Sequence, residues 1–199
     1  MLQAGANPNI TDNKEVFIEK YRSPLYLAIR KNDLKCVKLL VKFRADINIL
    51  YKRSSLLSIA AEHGFSEIVY YLSKKGARYE NGIINPYISC LKSGDRATFS
   101  ILYHFAPTYL LRLFEGKSLL YFATLNNSSL LPLIAYKTQS DLEDGRIGDI
   151  SFPPKDLSRS QKKILKDAMT VPEDLLSIDY IIVDIKQIKI PWKSNHFTR

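Results

Sequence analysis

The sequence predicts an all-α repeat, a stack of short helix-turn-helix units joined by hairpin loops, followed by a small C-terminal segment that is helical or mixed. Three observations predict it. The same apolar opening recurs from Ser23, Ser55, Asn85 and Ser118, so the spacings are 32, 30 and 33 residues. Each copy places a small residue (Ala28, Ala60, Cys90, Ala123) where one helix must approach its neighbours closely. Composition allows a packed core: 46% of the 199 residues are hydrophobic and 25% charged, and no run nears the roughly 18 apolar residues of a membrane span.

The first full unit opens at Ser23, whose hydroxyl is placed to cap a helix, with Pro24 in the first turn, where a missing N–H costs nothing. Val37, Leu39 and Leu40 give its second helix an apolar face. The second unit runs from the capping Ser55 through Ala60 and Ala61 to Ile68, Val69 and Leu72, and ends at Gly76-Ala77, where glycine suits a left-handed stop. The third runs from Asn85-Pro86 to Leu102 and the fourth from Ser118 to Ile134. Ahead of them, Leu2 to Asn9 is the tail of a partial unit, which suggests a fragment of a longer array. A unit this short cannot bury its apolar face alone, so stability comes from stacking.

Ser23-Pro24-Leu25-Tyr26-Leu27-Ala28 resembles the T-P-L-H-x-A opening of the ankyrin-repeat family, with Ser for Thr and Tyr for His. The helix-ending Gly76-Ala77 and the loop stretch Gly5-Ala6-Asn7-Pro8-Asn9 are similar to its turn. The resemblance spans residues 2–136 and implies an ankyrin solenoid over 1–136, then a linker over 137–157 and a C-terminal cap or docking segment over 158–199. Several positions depart from the pattern. Arg44 replaces the helix-ending glycine, Asn32-Asp33 replaces a glycine-histidine step, and Phe105-Ala106-Pro107 replaces the stop of the third copy. The first finger is about seven residues longer than the second, its insertion Lys14–Tyr21 being charged and aromatic.

The linker is rich in breakers and acidic residues (Asp141, Glu143, Asp144, Gly145, Gly148, Pro153, Pro154). Ser158 is placed to cap a helix reaching about Met169, with Ile164, Leu165 and Met169 on one side. Pro172-Glu173-Asp174 marks another helix start. The isoleucines from Ile178 to Ile188 keep helical spacing, and a helix is favoured there over a strand from Tyr180 to Ile190. The segment is also faintly similar to the box of ankyrin-and-SOCS-box proteins. Leu157 and Leu165 have the right separation, but Gln161 stands where a cysteine belongs and Val171-Pro172 is all that echoes the Leu-Pro-x-Pro element.

Nothing in the sequence suggests catalysis. The three histidines are far apart, Glu115-Gly116-Lys117-Ser118 lacks the upstream glycine of a phosphate loop, and Cys36 and Cys90 have no metal-ligand spacing. Two cysteines on apolar helix positions fit buried packing in an intracellular compartment, cytoplasmic or nuclear. No enzyme activity, cofactor, metal or membrane association is expected. The net charge of +9 is local, since residues 14–53 hold eleven basic and four acidic side chains. Such an excess steers acidic partners.

Ankyrin stacks bind proteins on a concave surface of fingers and first helices, so the resemblance implies a protein-binding scaffold. Its exposed candidates are Arg22, Tyr26, Arg30, Lys31, Tyr51, Lys52, Arg53 and His63, with Ser58 and Glu62 beside them. His63 is expected to be chiefly structural. Tyrosine and arginine are common hot-spot types, and the expected partner is a protein with an acidic segment. The alternative is a substrate-recognition adaptor of a cullin-type ubiquitin ligase, with residues 155–199 docking ligase core components. Nucleic acid is disfavoured, because Phe17, Tyr21, Tyr26, Phe43 and Tyr51 follow core periodicity rather than one exposed face.

Overall fold

Ser23, Ser55 and Ser118 start three helices in the same way. Each is extended (ψ 153°, 153° and 158°), and its hydroxyl accepts the backbone N–H three residues on, from Tyr26, Ser58 and Tyr121. Asn85 does the same two residues on, accepting from the Tyr87 N–H at 2.8 Å, with Pro86 opening the helix. The computed structural model describes residues 6–9, 22–110, 113–114, 116–126, 128–143, 154–155, 157–170, 180–183 and 188–191. Among them the helices are α1 (Pro24–Arg30), α2 (Leu34–Lys42), α3 (Leu56–Glu62), α4 (Ser66–Lys74), α5 (Pro86–Ser93), α6 (Arg96–Phe105), α7 (Leu119–Leu125), α8 (Leu131–Glu143) and α9 (Arg159–Ala168). The fold is the predicted repeat solenoid.

The chain divides into two units, Met1–Ser93 and Gly94–Arg199. In the first, α1, α3 and α5 form one row and α2 and α4 a second, each pair closed by a tight turn. The turns need a left-handed residue, supplied by Asn32 (φ 53°) after α1 and Gly64 (φ 67°) after α3. The second helices stop on another, Arg44 (φ 66°) after α2 and Gly76 (φ 83°) after α4. Arg44 thus adopts the conformation of the glycine it replaces, at a steric cost.

Between the rows of neighbouring repeats lies a finger, β1 (Leu50–Tyr51) paired antiparallel with β2 (Ser54–Ser55). Its two turn residues, Lys52 (φ 49°) and Arg53 (φ 62°), are both left-handed. Gly82 of the next loop bridges Ser54, and the Ile83 N–H donates to the Arg53 carbonyl at 2.9 Å. Asparagines tie successive loops together. Asn9 Oδ1 accepts from the Asp46 N–H at 2.8 Å and its Nδ2 donates to the Arg44 carbonyl at 3.2 Å. One repeat on, Asn48 Oδ1 accepts from the Arg78 N–H at 2.9 Å, and the Asn81 amide donates to the Asn48 carbonyl.

The core of this unit is Leu25, Ile29, Val37, Leu56, Leu57, Ile68, Leu72 and Tyr87, all at 1% exposure or less. Two side chains expected inside lie elsewhere. Leu39 is 46% exposed, because positions 35, 38, 39 and 42 form the outer stripe of α2 while Val37 and Leu40 face inward. Cys36 is half-buried, whereas Cys90 is fully buried as expected.

In the second unit α7 and α8 pair again as helix-turn-helix, α9 packs against both, and α6 ends at Phe105 in a 3₁₀ turn over Pro107–Leu110. Residues 137–143, assigned to the linker, are helical. Thr138, buried at 6%, returns its hydroxyl to the Ile134 carbonyl, and α8 runs on to Glu143. The helix from Ser158 forms as predicted, closed by a capping box in which Ser158 accepts from the Gln161 N–H and the Gln161 side chain accepts from the Ser158 N–H. Leu165 is its buried anchor, while Met169 is 39% exposed.

At the described residues of 178–188 the expected helix is replaced by strands. Tyr180–Val183 (β3) and Ile188–Pro191 (β4) pair antiparallel instead, Ile181 opposite Ile190 and Ile182 opposite Lys189. A run dense in β-branched residues loses side-chain freedom in a helix and packs well on a pleated ladder. The Lys14–Tyr21 insertion and the helix start at Pro172 lie outside the described residues.

Candidate functional site

The tip of the finger is built at a cost. A two-residue hairpin turn that needs positive φ at both positions normally takes Asn-Gly or Asp-Gly, yet here it carries Lys52 and Arg53, both exposed. Strain of this kind concentrates at functional positions. Tyr51 precedes the turn, and its ring stacks on that of Tyr26 from α1, centroids 3.9 Å apart and planes 23° apart. Lys52 Nζ stands 5.8 Å from the centroid of the Tyr51 ring. Arg22, just before the cap of α1, lies on the same side and favours the anionic form of the Tyr51 phenol.

The two phenols differ electrostatically. Burial pushes Tyr26 above the ordinary tyrosine value, and its hydroxyl contact with Tyr51 adds to that against the pull of Arg30 and Arg22. Tyr51 is held below the ordinary value, first by the hydrogen bond from Tyr26 and then by Arg22 and Lys52, against some burial. A phenol whose anion is stabilised in this way marks a place where negative charge is welcome.

Arg30, at the end of α1, donates from Nη1 to Nε2 of His63 at the end of α3. A guanidinium only donates, so Nε2 must accept and Nδ1 must carry the proton, which it gives to the Ile59 carbonyl at 2.9 Å. His63 therefore joins two first helices as a neutral imidazole, with Phe65 against its ring at 5.3 Å. One helix further, Lys92 bonds Glu62 at 3.0 Å.

The structure thus brings together Arg22, Tyr26, Tyr51 and Lys52, with Arg30 near Tyr26 and His63 beyond it. Lys31 and the Arg53 side chain are exposed and make no contact with the cluster among the described residues. Two placements need correction. Tyr26, expected on the surface, is 9% exposed because the Tyr51 ring covers it, and it serves as the floor of the site. Ser58, also expected outside, is 1% exposed and donates to the Ile84 carbonyl at 2.7 Å, tying α3 to the next loop. The interlocking pairs Arg30–His63 and Glu62–Lys92 escaped the sequence reading; their spacings of 33 and 30 residues, close to one repeat, are the signal that would have found them.

Residues 1–82 match the family model for ankyrin repeats, in three copies. These are ankyrin repeats. The matched stretch contains the whole cluster, from Arg22 to His63, and the family's general work is protein–protein interaction. No curated protein matches the chain.

Proposed function

We propose that the chain is a non-catalytic scaffold that binds an acidic segment of a partner protein on the ankyrin face formed by the β1–β2 finger and the first helices α1 and α3. The observation that carries this reading is the Tyr51–Tyr26 stack with Arg22, Lys52 and Arg30 around it, set beneath a turn that keeps Lys52 and Arg53 in left-handed conformations. Two stacked tyrosines offer contact area with little rotamer freedom to lose. The cations around them supply charge and direction.

The test compares partners captured by the intact chain with those captured by Tyr51→Ala and Lys52→Glu, followed by affinities for the acidic segment so identified. Hot-spot energetics predict a loss of about tenfold or more for Tyr51→Ala. Lys52→Glu should slow association and weaken its salt dependence. Unchanged capture and affinity in both variants would place the binding face elsewhere.

A further inference from the structure

The second helices carry a surface of different character. Residues 34–44 hold four basic side chains and no acidic one, and residues 66–78 hold three against one. On α2 the exposed stripe is Lys35, Lys38, Leu39 and Lys42; at the equivalent places of α4 stand Glu67, Tyr70, Tyr71 and Lys74. The two helices pack side by side, so the stripes form one face. Lys38 of α2 reaches across to Tyr71 of α4, its Nζ 5.9 Å from the ring centroid, while Lys75 approaches the same ring at 5.8 Å and Lys74 stands 5.7 Å from Tyr70. Among the described residues none of these lysines has a carboxylate partner, Lys92–Glu62 being the ion pair found.

We propose that this face rests on an anionic membrane surface. Lysine predominates on it, and lysine is a mobile, strongly hydrated point charge suited to a diffuse sheet of headgroups rather than to one bidentate site. Leu39 lies in the middle of the stripe, exposed and ringed by Lys35, Lys38 and Lys42, where an apolar side chain enters the headgroup boundary while its neighbours extend their ammonium groups to the phosphates. Tyr71, half-buried beside these lysines, brings a neutral phenol to the interface, a depth that tyrosine favours. Single-stranded nucleic acid fits less well, because it needs ring faces free to stack on bases and here the ammonium groups of Lys38, Lys74 and Lys75 stand over them. No helix among the described residues is long and apolar enough to cross a bilayer, so the contact is peripheral.

The experiment is co-sedimentation of the full chain with mixed phosphatidylcholine–phosphatidylserine vesicles, with pure phosphatidylcholine vesicles and a single-stranded RNA as the other arms. Binding is expected to the mixed vesicles alone, to weaken with salt, and to fall roughly fivefold per charge removed in Lys35→Gln/Lys42→Gln. Leu39→Ser should weaken it further, and Lys52→Glu, on the finger, should leave it unchanged. Thermal unfolding of each variant separates lost binding from lost fold. The proposal is overturned if the mixed vesicles are not bound, if Lys35→Gln/Lys42→Gln binds them as the intact chain does, or if the RNA is bound more tightly than the vesicles.

Discussion

Tyr51, on the finger, and Tyr26, on the neighbouring first helix, are stacked at 3.9 Å yet shifted in opposite directions, Tyr51 toward ionisation and Tyr26 away from it. Tyr51, held low, adds stability only above the ordinary tyrosine range near about 10, and that contribution is lost as the pH falls through its own value. Tyr26, held high, adds stability below that range and loses it as the pH climbs. The two oppose each other in strong alkali, so the order of ionisation is the clearer observable. In an ultraviolet phenolate titration, Tyr51→Phe should delete a phenol that ionises below the ordinary tyrosine value, and Tyr26→Phe should raise the value at which Tyr51 ionises. An onset identical in the intact chain and Tyr51→Phe would contradict this arrangement.

Arg44 and Gly76 occupy the same place in consecutive repeats, with φ of 66° and 83°. The arginine bears a left-handed cost that the glycine does not. Arg44→Gly is expected to raise stability by about 0.5–1 kcal/mol, the steric relief outweighing the added freedom of the unfolded chain. Gly76→Ala should lower it by about 1 kcal/mol, through conformation alone, since an added Cβ meets nothing within 4 Å. Urea unfolding of the pair decides it, and a loss of stability in Arg44→Gly would mean that the exposed guanidinium does more than its conformation suggests.

Gly82 presents the opposite case. A Cβ there would lie 2.7 Å from the Arg53 carbonyl oxygen and 2.9 Å from the Ser55 nitrogen, both backbone, at a φ of 101°. Gly82→Ala should therefore cost about 2 kcal/mol and displace the finger. Because the displaced element carries Tyr51, partner binding should weaken beyond what lost stability explains. Stability and affinity measured together check this, and a variant as stable as the parent would rule out the close approach.

Asn48→Ala removes the acceptor for the Arg78 N–H and should cost about 1–2 kcal/mol. Asn48→Asp, which keeps the accepting oxygen, should recover most of the loss. Equal losses in the two variants would show that the bond is not what stabilises the joint.

Much of this was legible in the residues. Ser23 and Ser55 announce their helices because a cap is a local device, and Arg44 and Asn32 could be placed at the repeat's glycine positions because a repeat supplies its own template. The burial of Tyr26 was not legible, since it depends on a ring 25 positions away in the sequence folding over it. Leu39 was assigned inward by hydrophobicity, although the 35, 38, 39, 42 stripe on which it lies carries lysine at every other position. The C-terminal isoleucines satisfied helical spacing and strand propensity together, and pairing of β3 with β4 decided between them.

The asparagine rungs have a wider consequence. Asn9 bonds the N–H of Asp46, and Asn48 bonds the N–H of Arg78, residues of opposite charge. The recipient is a group that every amino acid except proline presents, so the joint between repeats is indifferent to what the recipient's side chain is. The exposed chemistry of one repeat can be rewritten without loosening its neighbour. A scaffold assembled this way can change what it recognises while keeping the way it is built.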